Sequence, residues 1–423
     1  MSQLDIALTA ISLVVLVVGV VSKPIRRSYV SDGVIALLIG ILMSPDALGW
    51  LDVTSWWGNK ETFIEEAARL TLAIGLMGVA LRLPKGYAPR HWKSLTVVLG
   101  PVMLLMWLSS GLLVYWIFGL PFWVAMLIGA IVTPTDPVVS TSIVTGVVAE
   151  ENIPKRLRYL ISTESGLNDG LAYPFVMLPI LLLTRSSGEA LSHWLLHTIL
   201  WAVGAAVVAG ALLGYGAGRL LDWAEEKELI ERKSILAYTV ALSLLALALV
   251  HLMGSDGILA VFVAGLTFDG IVNSNQREES ENIQEAVDRF FTLPIFLLLG
   301  LVLPWQEWFQ LGWKGLLLVV AILLLRRLPA MLALSRLIKP LHGFRDALFV
   351  GWFGPLGVAA LYYSHLAERL TGNHEVWVVS SLLIVASIVI HGISATPLSK
   401  LYGRRVQNNH HQSEAEPKVE SRR

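Results

Sequence analysis

Ile131-Val132-Thr133-Pro134-Thr135-Asp136-Pro137 decides how this chain is read. The run follows the apolar stretch 121–130 and sets a carboxylate between two prolines. Each proline removes a backbone donor. Each also steers the residue before it, Thr133 or Asp136, away from helical geometry. The expected result is a broken helix, whose freed carbonyls and half-helix ends can hold an ion. Inside a bilayer such a break is tolerated only where protein or a water-filled cavity surrounds it. A plain proline kink with a capping aspartate would explain the break, but not an ionisable group at that depth.

Composition puts the break in a membrane. Of 423 residues, 55% are hydrophobic and 15% charged, and mean hydropathy is +0.65. A water-soluble domain cannot bury that much apolar surface. The formal net charge is zero, which offers no polyanion-binding surface and excludes nucleic acid as a partner. The chain contains no cysteine, which removes thiol chemistry, disulfides and cysteine metal sites. The first apolar run, from Asp5 to Ser22, has no basic segment before it and no small-residue cleavage site before Lys23-Pro24. It reads as a retained helix rather than a signal peptide.

Runs long enough to span, roughly 20 residues each, fall near 5–22, 33–50, 62–82, 95–117, 121–147, 157–184, 194–218, 234–253, 256–272, 289–304, 314–338, 345–367 and 376–399. The fold class expected is therefore an all-α polytopic membrane protein of about thirteen transmembrane helices. Its transmembrane domain would cover 1–403, followed by a polar cytoplasmic tail over 404–423. The basic residues test this count. With the N-terminus outside, the outer loops hold Lys60, Arg185, Lys314 and Arg369. Arg69, Arg326 and Arg327 lie in apolar stretches, and the other 25 of the 32 basic residues fall in inner loops or the tail. Among those 25 are Lys23, Arg26, Arg27, Arg232, Lys233, Lys418, Arg422 and Arg423. This asymmetry puts the C-terminus in the cytoplasm. Trp56, Trp57, Trp305, Trp308 and Trp313 cluster in outer loops as interfacial anchors.

Ionisable groups at bilayer depth are costly and usually functional. The sixth span carries Ser162-Thr163-Glu164-Ser165-Gly166-Leu167-Asn168-Asp169-Gly170. Ser165 and Asp169 share one helix face, and Glu164 and Asn168 the adjacent one. Asp169 lies eleven residues in from Arg158, roughly 16 Å along a helix and close to the midplane. The eleventh span carries Arg326-Arg327-Leu328-Pro329, also at mid-depth. An arginine there must be paired; Glu164 is the partner expected, with Arg327 favoured over Arg326. The twelfth span carries Phe353-Gly354-Pro355-Leu356-Gly357, a second interruption. Spans 5 and 12 run in opposite directions, which marks inverted repeats whose two broken helices cross. Spans 4–6 and 11–13, near 95–184 and 314–399, would form a core bundle. Asp136 would offset the positive half-helix ends at the crossing and Arg327 the negative ends.

Weaker signals take plainer readings. Glu66 and Arg69 are three apart and pair within one helix; Glu65 and Glu66 could otherwise serve ion entry. Asp256 and Asp269 bracket the ninth span and read as interfacial, as do His251, His365 and His391 near span ends. Gly204, Gly210, Gly214 and Gly218 read as small-residue helix packing. The run from Glu225 to Lys233 reads as a solvated loop.

These residues also resemble the monovalent cation/proton antiporter superfamily. Thr135-Asp136-Pro137 with Val138 is similar to its broken-helix motif. Glu164-Ser165-x-x-Asn168-Asp169 is similar to the core motif of its sodium/proton exchanger branch. Residues 164–170, the run from Gly351 to Val358, the run Gly78-Val79-Ala80-Leu81 with Leu83-Pro84-Lys85, and His91-Trp92 look like the fungal plasma-membrane type. The resemblance covers about residues 5–400, without a counterpart of that type's long tail. It implies a secondary antiporter of sodium, or of potassium or lithium, working by alternating access at the cell membrane. Asp169 would take cation and proton in turn, because burial penalises its bare charge. Ser165, Thr135 and Asp136 would complete the cation ligands. Asn168 would bond across to the broken span, and Glu164, Arg327, Arg326, Pro137 and Pro355 would support the site. The resemblance also implies a homodimer in lipid and no cofactor. Leu356 stands where many exchangers carry arginine, as in the fungal type. The rival transport reading is a sodium-coupled symporter of a small organic substrate. A channel would need a filter segment. An intramembrane serine protease built on Ser165 lacks an oxyanion or nucleophile motif, so no enzyme is expected.

Overall fold

The computed structural model describes residues 3–20, 31–52, 60–137, 139–229, 234–272 and 274–415, and all regular structure among them is helical. The helices are α1 (Gln3–Val20), α2 (Asp32–Met43), α3 (Lys60–Arg82) and α4 (Trp92–Phe118). Two half-helices follow, α5a (Phe122–Ile131) and α5b (Gly146–Asn152), then α6 (Lys155–Thr184) and α7 (Ser187–Glu226). Next come α8 (Ser234–Leu252), α9 (Gly257–Ile271) and α10 (Ser274–Leu301). The chain ends with α11a (Trp305–Leu325), α11b (Leu328–Leu334), α12a (Phe344–Trp352), α12b (Val358–Thr371) and α13 (His374–Ala415).

Each expected span contains helix, although that near 33–50 is helical only to Met43. Among the described residues, five stretches are long and apolar enough to cross a membrane by themselves: α4, α6, α7, Trp305–Leu337 and His374–Arg405. The outer faces are apolar although the interior is apolar too, and polar residues are buried within it. Leu196, Leu200, Leu212 and Leu316 are exposed on the outer faces of α7 and α11a, while Ser110, Ser243, Ser364 and Ser380 are buried. A chain with hydrocarbon as its outer solvent sorts its residues this way.

Close helix contact comes from missing side chains. A Cβ on Gly40 would strike the Leu297 carbonyl and one on Gly300 the Leu37 carbonyl, so α2 and α10 touch backbone to backbone. Gly210 and Gly214 meet the Ala260 and Ala264 carbonyls in the same way, joining α7 to α9. Gly204, expected in that stripe, faces open space.

Several surface readings need correction. His365 and His391 are buried, His365 stacking on Trp377 with ring centroids 4.3 Å apart. Asp256 and Asp269 are buried too. Asp256 caps α9, accepting from the backbone N–H groups of Ile258 (3.0 Å) and Leu259 (3.3 Å). Burial at these four positions reflects helices crowding their ends, which span-by-span reading does not see. Helix α7 continues to Glu226, into the expected loop, and α13 to Ala415, so part of the expected tail is helical. Trp308 is partly buried, donating to the Val378 carbonyl at 3.0 Å. Lys23, Arg26, Arg27, Trp56, Trp57, Arg232, Lys233, Lys418, Arg422 and Arg423 lie outside the described residues.

Candidate ion-binding site at two crossing broken helices

The break in the fifth span lies between α5a and residue 141, and the break in the twelfth spans residues 353–357. The two touch directly: the Asp136 N–H donates to the Pro355 carbonyl at 2.8 Å. The Asp136 carboxylate lies at the positive ends. One oxygen accepts from Val139 N–H at 3.0 Å, the other from Val358 N–H, the first residue of α12b, at 2.5 Å. Gly357 makes this possible, since a Cβ there would overlap that carboxylate. The opposite, negative ends are served by Arg326. Its guanidinium donates to the Val132 carbonyl closing α5a and the Gly354 carbonyl just past α12a. A cation beside terminal carbonyls and an anion beside terminal N–H groups is what helix dipoles favour. The expectation that Arg327 would serve the negative ends is therefore corrected.

Arg327 instead faces α6. Its two terminal nitrogens hold both Glu164 oxygens, one at 2.8 Å, and its Nε donates to the Val350 carbonyl at 3.1 Å. Both side chains are buried. Both arginines keep helical-region backbone, and neighbours on a helix point roughly 100° apart, so the two face different partners. Gly354 leaves room for the Arg327 side chain.

One turn along α6, Asn168 reaches the broken span. Its Oδ1 accepts from Thr135 N–H at 3.0 Å, and its Nδ2 donates to Thr135 Oγ1 at 2.8 Å. Ser165 Oγ lies 3.0 Å from the same Thr135 hydroxyl. Asp169 is fully buried, and neither carboxylate oxygen has a hydrogen-bond partner among the described residues. Its backbone carbonyl accepts from the Tyr363 hydroxyl of α12b at 2.6 Å. A buried carboxylate without donors is not stable as a bare anion. Such a group is stable with a proton on it or with a cation beside it. Pro137 and Pro355 support the breaks by position, and the Pro137 carbonyl accepts from Thr141 Oγ1 at 3.2 Å.

Two supporting residues, Tyr363 and Ser387, escaped the sequence reading, and a third, His391, was read as interfacial. Tyr363 ties α12b to Asp169. Ser387 Oγ accepts from Leu356 N–H at 2.8 Å, and His391 joins Ser387 Oγ (3.0 Å) to the Trp352 carbonyl (3.0 Å). Ser387 and His391 are four apart on an apolar span, a pairing that could have flagged them.

Comparison with known proteins identifies the family. The family model described as sodium/hydrogen exchanger, transmembrane, matches residues 11–401. The chain is 33% identical over 403 residues to Na(+)/H(+) antiporter 2 of Zygosaccharomyces rouxii, covering 87% of this chain and 49% of that protein. It is 33% identical over 402 residues to the Na(+)/H(+) antiporter of Saccharomyces cerevisiae, covering 87% and 40%. The chain thus spans half or less of the length of these two curated relatives. The sodium proton antiporter MjNhaP1 from Methanocaldococcus jannaschii superposes with a TM-score of 0.71 at 20% identity, covering 96% of this chain and 98% of that one. That likeness establishes a shared fold.

Proposed function

The chain belongs to the transmembrane sodium/hydrogen exchanger family, and from that premise we propose that it exchanges a monovalent cation for protons by alternating access. One observation carries the reading: Asp169 is a fully buried carboxylate without a hydrogen-bond donor among the described residues, one helical turn from Ser165, whose hydroxyl lies 3.0 Å from that of Thr135, while Glu164 is already neutralised by Arg327. That leaves one exchanging group. Sodium is the cation the relatives' names favour, with potassium and lithium as the other candidates, and those names favour exchange over symport. Asp169, Ser165 and Thr135 are the proposed ligands. Asp136 contributes its charge next to them, with both its oxygens held by backbone N–H groups.

The same reading gives the architecture a direction. Thirteen crossings, N-terminus outside and C-terminus cytoplasmic, put the basic loops at the cytoplasmic surface. The bundle α4–α6 with α11–α13 moves against the other helices and carries Asp169 with it. A second copy of the chain is the proposed partner within the membrane. Purified protein in liposomes with an internal pH dye, challenged with sodium, potassium and lithium in turn, tests the proposal. Cation-driven proton movement is expected; a dye signal identical to empty liposomes for all three cations would end it.

A further inference from the structure

Glu65 on α3 and Arg369 in the last turn of α12b form a two-point ion pair, with Nε and a terminal nitrogen each 2.7 Å from a carboxylate oxygen. The Glu65 side chain is 4% exposed and that of Arg369 is 42% exposed. The pair joins the two helix groups, since α3 belongs to the group taken as static and α12b to the bundle that carries Asp169. Neighbouring charges leave Glu65 alone: Glu66 pairs with Arg69 on its own helix at 2.6 Å, and Glu368 binds His374 at 2.6 Å within the bundle.

A second observation says what the pair does. Buried apolar residues fall into two large clusters. At the Arg369 end, side chains of α12b and α13, such as Leu361 and Val379, merge with α2, α3, α9 and α10 into one cluster. At the end with the basic loops, the bundle has a separate cluster, including Leu157, Met331 and Val350, whose fully buried members all come from α4–α6 and α11–α13. The two groups share one apolar core at the Glu65 end; at the basic end the bundle keeps a core of its own and meets α2 where Gly392 faces Val34 and Ser31. We infer that Glu65 and Arg369 form a state-selective latch, present only while the Glu65 end is closed. Opening that end draws α12b away from α3 and separates the charges. The exposed side of Arg369 keeps the bond weak enough to break in each cycle, while burial of Glu65 makes it specific to the closed state. This inference rests on the alternating-access reading.

The test uses the full chain, whose lack of cysteine provides a clean background. In oriented vesicles, Glu65→Gln should lower the cation KM at the Glu65 face by roughly threefold to tenfold. No matching fall should occur at the basic face. A merely structural pair would leave both KM values unchanged or move them equally, and either result overturns the latch. In Glu65→Cys/Arg369→Cys, a short bis-methanethiosulfonate cross-linker should stop exchange, and reductant should restore it. Asp32→Cys/Arg289→Cys, which joins α2 to α10 inside the static group across a 4.0 Å pair, should keep exchanging when cross-linked. Exchange at the reduced rate by the cross-linked Glu65/Arg369 variant overturns the inference. So does a folded, reduced variant that cannot exchange, because loss of a latch must leave cycling intact. Absence of exchange in the unmodified protein would instead refute the functional reading itself.

Discussion

Arg326 and Arg327 are neighbours in the chain whose guanidinium groups have opposite kinds of partner: backbone carbonyls for Arg326, the Glu164 carboxylate for Arg327. Two adjacent buried cations are held without sharing one counter-ion. The terminal dipoles of α5a and α12a supply the second negative potential.

This division predicts unequal genetics. Glu164→Gln leaves Arg327 buried and unpaired, which should cost about 3–5 kcal/mol of stability. Glu164→Gln with Arg327→Gln should recover part of that loss. Thermal unfolding of the purified variants measures it, and a double variant no better than the sum of the singles contradicts the pairing as a stabilising unit.

Asp169→Asn should yield a folded protein without exchange. An amide fills the same space but can neither release a proton nor balance a cation. Liposome flux near the wild-type rate, with normal expression, would move the exchanging role to another residue.

Gly357→Ala should destabilise the crossing by about 1–3 kcal/mol through overpacking, since the new methyl group overlaps the Asp136 carboxylate. Gly204→Ala, where a Cβ meets nothing within 4 Å, should be neutral or slightly stabilising. Melting temperatures of the two variants should differ in that direction; equal shifts would mean that the Asp136–Val358 contact is soft.

Cation and proton should compete at one site. Protonated Asp169 cannot hold a cation, so lowering pH weakens apparent cation affinity, about tenfold per unit well below the site's midpoint. Raising pH above that midpoint removes the dependence. One charge for one implies exchange insensitive to membrane voltage. Rates with and without a potassium/valinomycin clamp check this; strong acceleration under the clamp would make Asp136 the next group to neutralise.

Depth was legible in the sequence because a helix advances a fixed distance per residue. Counting eleven residues from Arg158 was enough to place Asp169 roughly 16 Å along its helix. Neighbour choice was not legible. Periodicity assigns a residue to a face but does not say which helix packs there. Glu65 and Arg369, 304 positions apart, were therefore read separately, one as a possible ion-entry carboxylate and one as a loop charge. His391 was misread for a related reason: a histidine near the end of an apolar run could equally face lipid headgroups or a broken neighbour. Only the packing of α13 against residues 352–357 distinguishes them. Arg327 does hold Glu164 as read, but the passing of the negative helix ends to Arg326 had no sequence signal, because it depends on which neighbouring helices each arginine faces.

Asp169, Ser165, Asn168, Thr135 and Tyr363 are tied together by bonds that run only among α5, α6 and α12. None of these bonds anchors the cage to the static helices, so the cage should cross without changing shape. A cage of constant shape ranks cations by size in the same order whichever compartment offers them. Selectivity would then be a property of the cargo holder, and direction a property of the concentrations alone. Rank orders measured separately from each face should coincide; a reversal would mean that the cage deforms on the way across.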